Sequence, residues 1–163
     1  MNEAESLNLI SQVLQKSYAG HWVRSDLAGE TIYCVQRDGK TITTLWVSER
    51  AERLFISVSC GLAYNIPHNI DVLVHLNEQI QEMYFGKLYS IAGQGNAHTV
   101  VTSMLIPAAP LSWANTASTD YAWLIINSMI AHGESLAPAL VEKFGGQHFD
   151  FSDVHAHVLV MST

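Results

Sequence analysis

Residues 31–60 have the sequence TIYCVQRDGKTITTLWVSERAERLFISVSC, and their pattern decides the predicted fold. Apolar residues alternate with small or polar ones over 54–60, which is typical of a strand in a sheet with one buried face. The Asp38-Gly39 pair favours a hairpin, because both residue types tolerate the backbone of tight turns. The segment therefore predicts three antiparallel strands joined by short turns. The predicted strands are 31–36, 41–47 and 54–60, with turns at 37–40 and 48–53.

Apolar residues recur at helical spacing on both sides of these strands. One amphipathic helix is predicted over 6–18, and a second over 70–83, where Leu73, Leu76 and Ile80 fall on one stripe. We expect each helix to cover one face of the sheet with its apolar stripe.

The second half of the chain adds two strands and a long helix. Alternation predicts strands over 84–91 and 97–106, and a mostly apolar stretch predicts a helix over 121–144. Within that helix Gly133 and Pro138 predict a kink or a break, since a proline removes a backbone hydrogen bond and crowds the preceding turn.

Together these elements predict an α+β fold of two layers, with helices packed on one face of a mainly antiparallel sheet in the order α-βββ-α-ββ-α. The length of 163 residues suits one domain with its own core. Apolar residues make up 48% of the chain and charged residues only 14%, against about 25% in a typical domain. This composition predicts apolar surface that a second copy or a partner covers.

The charge balance excludes some classes of partner. Fifteen acidic residues outweigh eight Lys and Arg for a net charge of −7, which opposes binding to nucleic acid and to an anionic membrane surface. The acidic segment 1–5 is unlike a signal peptide, and no apolar run approaches the roughly 18 residues of a membrane span. The sequence therefore predicts a cytoplasmic protein, in which Cys34 and Cys60 are buried, reduced thiols.

A histidine- and aspartate-rich run near the C-terminus offers the strongest alternative. His155 and His157 would share one face of a strand, a spacing that metal sites use, and Asp153 is a candidate oxygen ligand. Val154 and its apolar neighbours alternate with these histidines, so the histidines would instead face water if the valines pack inward. No further ligand motif strengthens the metal interpretation, and the preferred prediction contains no metal or cofactor.

Aromatic residues mark the surface most suited to a partner. Trp113 lies in a loop rich in proline, and large aromatics in loops often face a partner. Tyr84 and Tyr89 belong to one predicted strand. These three residues are the candidate partner-binding side chains.

Three short motifs give the chain a family resemblance. They are LNE at 76–78, FGKLY at 85–89 and EKFGG at 142–146, in the predicted order of elements. In this respect the chain resembles the secretion-chaperone-like fold, which class I type III secretion chaperones share with the YbjN-like proteins, and it is more similar to the YbjN-like group. The resemblance covers about 4–146 and leaves 147–163 as a C-terminal extension.

The resemblance implies a role without catalysis. Proteins of this fold commonly dimerise through a helix and a strand, and the chaperones bind extended segments of a partner in apolar grooves. No family catalytic residue exists to carry over. We therefore expect a non-enzymatic, homodimeric module that binds a polypeptide or acts as a regulator, with a metal protein or an enzyme using the C-terminal histidines as the alternative.

Overall fold

The computed structural model describes residues 2–27, 29–83, 86–92, 97–108 and 115–149. The helices are α1 (Glu3–Ser17), α2 (Ile70–Glu82) and α3 (Asn115–Phe144). The strands are β1 (Trp22–Leu27), β2 (Glu30–Val35), β3 (Ile42–Arg50), β4 (Arg53–Pro67), β5 (Lys87–Ala92) and β6 (Ala97–Pro107). The six strands form one antiparallel sheet in the order β1-β2-β3-β4-β6-β5, which confirms the predicted α+β fold.

All three helices pack on one face of this sheet. Ile56, Val58 and Cys60 point to that face, as their alternation predicted, and each is buried. Leu45 is the cross-strand partner of Val58 and lies in the same cluster with α1 and α3. A second apolar cluster on the same face contains residues from the C-terminal part of β4, from α2 and β5, and from the second half of α3.

Local sequence signals set the first helix and the β2–β3 hairpin. The Asn2 side chain accepts a hydrogen bond from the Glu5 amide, and the Glu5 carboxylate accepts one from the Asn2 amide, so a reciprocal cap starts α1. In the turn between β2 and β3, the Asp38 carboxylate accepts from the amides of Lys40 and Thr41. The turn confirms the predicted hairpin. The helix itself was also predicted, but α1 begins at Glu3 rather than at residue 6, and its cap at Asn2 was not predicted.

The two largest differences from the predicted strands concern β1 and β4. The prediction omitted β1, which adds an edge strand paired along its length with β2. It also ended the third strand at Cys60, whereas β4 continues to Pro67. Irregular pairing beyond Gly61 and a positive φ of 54° at Asn65 let this strand bend and remain paired with β6. Periodicity could not show this, because a bulge interrupts the alternation.

The second helix also differs from its predicted orientation. Val72 and Leu76 are its buried apolar residues, whereas Leu73 and Ile80 are 39% and 43% exposed. The stripe predicted to face the core is therefore only partly buried, because α2 carries apolar residues on two sides.

The long helix has no break at Gly133. It runs without interruption through Gly133 and Pro138, so the predicted break is wrong. A Cβ at Gly133 would lie 2.5 Å from Cys60 Sγ and 3.1 Å from a Leu62 methyl carbon. The glycine therefore allows close approach of α3 to β4, and packing against the sheet stabilises the continuous helix.

The long helix contradicts the prediction that no apolar run approaches the length of a membrane span. The stretch Asp120–Phe144 is long and apolar enough to cross a membrane, with a mean hydropathy of 1.3. A core helix with a wide buried face passes the same test. Ile125, Ile126 and Met129 are buried against the sheet and α1, which favours the core-helix interpretation.

We predict that Gly133→Ala lowers the free energy of unfolding by about 1–2 kcal/mol, because overpacking against Cys60 outweighs the gain in helix propensity. Urea unfolding measures the change. Cys60→Ala removes the clashing sulfur, so Gly133→Ala should cost less in that background. A glycine needed only for flexibility would give the opposite sign, a stabilising Gly133→Ala.

Candidate functional site

On the face of the sheet opposite the helices (the second face), the described residues outside the sheet cover only one part. At its β2 and β3 side, Phe149 packs against Ile32, Cys34 and Ile42. Gly61 makes this possible, since a Cβ there would lie 2.7 Å from the Phe149 ring. The segment that follows α3 therefore reaches the second face, where Phe149 packs against the sheet.

A groove of about 740 Å³ crosses the remainder of this second face. Register places its members on four neighbouring strands: Trp46 pairs with Ser57, Ser57 with Leu105, and Ser103 with Lys87. The side chains of the second face that line the groove are Trp46, Ser57, Ser59, Lys87, Tyr89, Ile91, Ser103 and Leu105, and Arg50 lies at one end.

Small hydroxyl residues form the groove floor. Ser57 and Ser59 are buried at the centre of the sheet, and the Ser57 hydroxyl lies 2.6 Å from the Ser48 hydroxyl. Larger side chains flank these serines on both sides: Trp46 belongs to β3 and Tyr89 to β5. A row of small residues between large ones gives a trough that suits an extended chain or a flat apolar group.

The described lining of the groove contains few ionisable groups. Among the described lining residues the only charged groups are Arg50 and Lys87, and none carries a carboxylate, an imidazole or a thiol. Cys34 and Cys60 lie elsewhere, and burial raises the pKa of each thiol to about 12. Both cysteines are free and buried, which confirms the prediction for them and leaves neither as an activated nucleophile.

The structure places one of the predicted partner-binding residues in this groove. Tyr89 lies on β5, is 39% exposed and faces the trough. Trp113 and Tyr84 lie outside the described residues, as do the three metal candidates Asp153, His155 and His157. Within the described ranges, no cluster of three or more His, Cys, Asp or Glu residues could hold a metal ion.

Sequence reasoning missed most of the groove, although part of its signal was present. The alternation in β4 placed Ser57 and Ser59 together on the face away from the core. Trp46 belongs to the neighbouring strand, and its pairing with Ser57 follows from the hairpin register. The pairing of β6 between β4 and β5 could not be predicted, and that pairing brings Tyr89 to the same trough.

Comparison with protein-family models gave no match, and no curated protein matched the chain.

Proposed function

We propose that the chain is a non-enzymatic module that binds an extended polypeptide or acts as a regulator through such binding. The observation that carries this proposal is the trough on the second sheet face, bordered by the edge strand β5. An edge strand offers backbone donors and acceptors to an added strand, and the trough on the adjoining sheet face would receive residues of the bound segment that continue beyond that strand. The proposal follows the resemblance to the YbjN-like and secretion-chaperone-like proteins, although β1 adds a fourth strand between α1 and α2 to the predicted order of elements.

The local charge of the trough defines the chemistry of the proposed partner. Arg50 and Lys87 border it, although the chain as a whole has a net charge of −7. A segment with apolar or aromatic residues and at least one carboxylate would complement these two cations, because charge complementarity acts at the contact surface. Burial of apolar side chains would supply most of the affinity at about 25 cal/mol per Å², less the cost of ordering the segment.

The binding proposal predicts a specific loss in trough variants. A panel of extended ten-residue peptides that differ in apolar content and charge is titrated by fluorescence anisotropy. Peptides that combine aromatic and acidic residues should bind best, and Trp46→Ala or Tyr89→Ala should weaken them about ten-fold or more, as central aromatic contacts do. Lys87→Glu should shift the preference toward basic peptides.

Tyr121→Ala is the matched control, since Tyr121 is a similarly exposed tyrosine on α3. Equal effects of Tyr89→Ala and Tyr121→Ala would contradict the proposal, and so would the absence of binding across the panel.

We also propose that the chain forms a homodimer through α2. Its outer side carries four exposed apolar residues at helical spacing, next to the edge strand β5. Ile70 is 68% exposed and Val74 is 52% exposed, and Leu73 and Ile80 complete the stripe. Contiguous exposed apolar surface of this kind is typical of an interface, and two copies of one amphipathic helix can pair around a two-fold axis.

The dimer proposal predicts that a charge on this stripe separates the subunits. Val74→Asp should raise the dimer dissociation constant at least ten-fold, measured by sedimentation equilibrium. Leu124→Asp is the control, because Leu124 is 49% exposed on α3. A wild-type chain that stays monomeric at its highest soluble concentration would contradict the proposal, as would dissociation by Leu124→Asp alone.

A further inference from the structure

Two histidines converge where the end of β4 meets the start of β6. His68 directly follows β4, and His98 is the second residue of β6, paired with Ile66. Nδ1 of His68 lies 2.6 Å from Nε2 of His98, and the ring centroids are 4.6 Å apart with planes inclined by 20°. Because the nitrogens are closer than the centroids, they lie between the two rings. The two nitrogens therefore face each other at hydrogen-bond distance, and the two rings are close to parallel.

In this arrangement one atom between the two rings can contact a nitrogen of each. In the neutral pair a single proton occupies it, donated by one nitrogen to the other. A divalent transition-metal ion can occupy the same position, since imidazole nitrogen is a favoured ligand of such ions. We infer that His68 and His98, neither of which lines the trough, form a two-imidazole binding site for a divalent transition-metal ion.

The movement that the site needs is small. Zinc–nitrogen bonds of about 2.0–2.1 Å at a tetrahedral angle place the two nitrogens about 3.3 Å apart. The present separation is 2.6 Å, so the nitrogens must move apart by less than about 1 Å. His68 is exposed and can make this adjustment. In the bound state the ring protons occupy the outer nitrogens, Nε2 of His68 and Nδ1 of His98, so a neutral pair binds the ion without releasing a proton.

The ligand set defines the class of ion. No third His, Cys, Asp or Glu joins the pair among the described residues, so water completes the coordination. Such a mixed nitrogen and water set suits Cu²⁺, Ni²⁺ and Zn²⁺, with Cu²⁺ bound most tightly. Mg²⁺ and Ca²⁺ require oxygen ligands, which the pair lacks.

The site is tested by titrating untagged protein with Cu²⁺ and with Zn²⁺ in a calorimeter. Four chains are compared with the wild type: His68→Gln, His98→Gln, the double variant His155→Gln/His157→Gln, and His21→Gln as a control on an exposed histidine. We expect one equivalent of Cu²⁺ to bind to the wild type, the double variant and the control. Affinity should fall about ten-fold or more in His68→Gln and His98→Gln, as for lost metal-site contacts.

A second measurement does not depend on the variants. Electron paramagnetic resonance of the wild type with one equivalent of Cu²⁺ should show two coordinated nitrogens, which the His68→Gln spectrum should lose. Circular dichroism confirms that each variant is folded. Binding that survives both His68→Gln and His98→Gln would overturn the inference, as would binding lost only in His155→Gln/His157→Gln, or no Cu²⁺ binding to the wild type.

Discussion

The close contact between α3 and β4 organises the whole molecule. The longest helix crosses the longest strand, and Gly133 permits this because its missing side chain leaves room for Cys60 Sγ. Beside this contact, the Arg37 guanidinium donates to the Glu134 carboxylate at 2.9 Å and links the β2–β3 hairpin to α3. With α3 in this position, α1 and the first half of α3 form one apolar cluster with the sheet, and α2 and its second half form another.

The two faces of the sheet are consequently unequal. One is closed by three helices and filled with large aliphatic side chains. On the other face, Phe149 is the described residue that packs from outside the sheet, and beside it small hydroxyl residues lie between Trp46 and Tyr89. Small residues at the centre of a sheet contribute little to core packing, so their placement opposite the helices creates a trough rather than a second core. The proposed function rests on this difference between the two faces of the sheet.

The sequence was informative where local chemistry decides structure. The hairpin at Asp38-Gly39 and the alternation in β4 were predicted from residue type and spacing, and so was the α+β fold. The errors arose where long-range packing decides. Gly133 looked like a helix breaker because its partner, Cys60, lies 73 positions away in sequence. The extension of β4 past Gly61 depends on pairing with β6, and the exposure of Leu73 depends on which side of α2 meets the sheet. The trough combines four strands, and only Tyr89 among its residues was predicted to face a partner.

Our central proposal is that the second sheet face and the edge strand β5 bind the partner polypeptide. Hydrogen–deuterium exchange, measured on the chain alone and with its tightest-binding peptide, tests this claim most directly. We expect slower amide exchange in β5 and unchanged exchange in α3, because an added strand would pair with the edge of β5 that no described strand occupies. Protection confined to α2 or α3, with β5 unchanged, would contradict it.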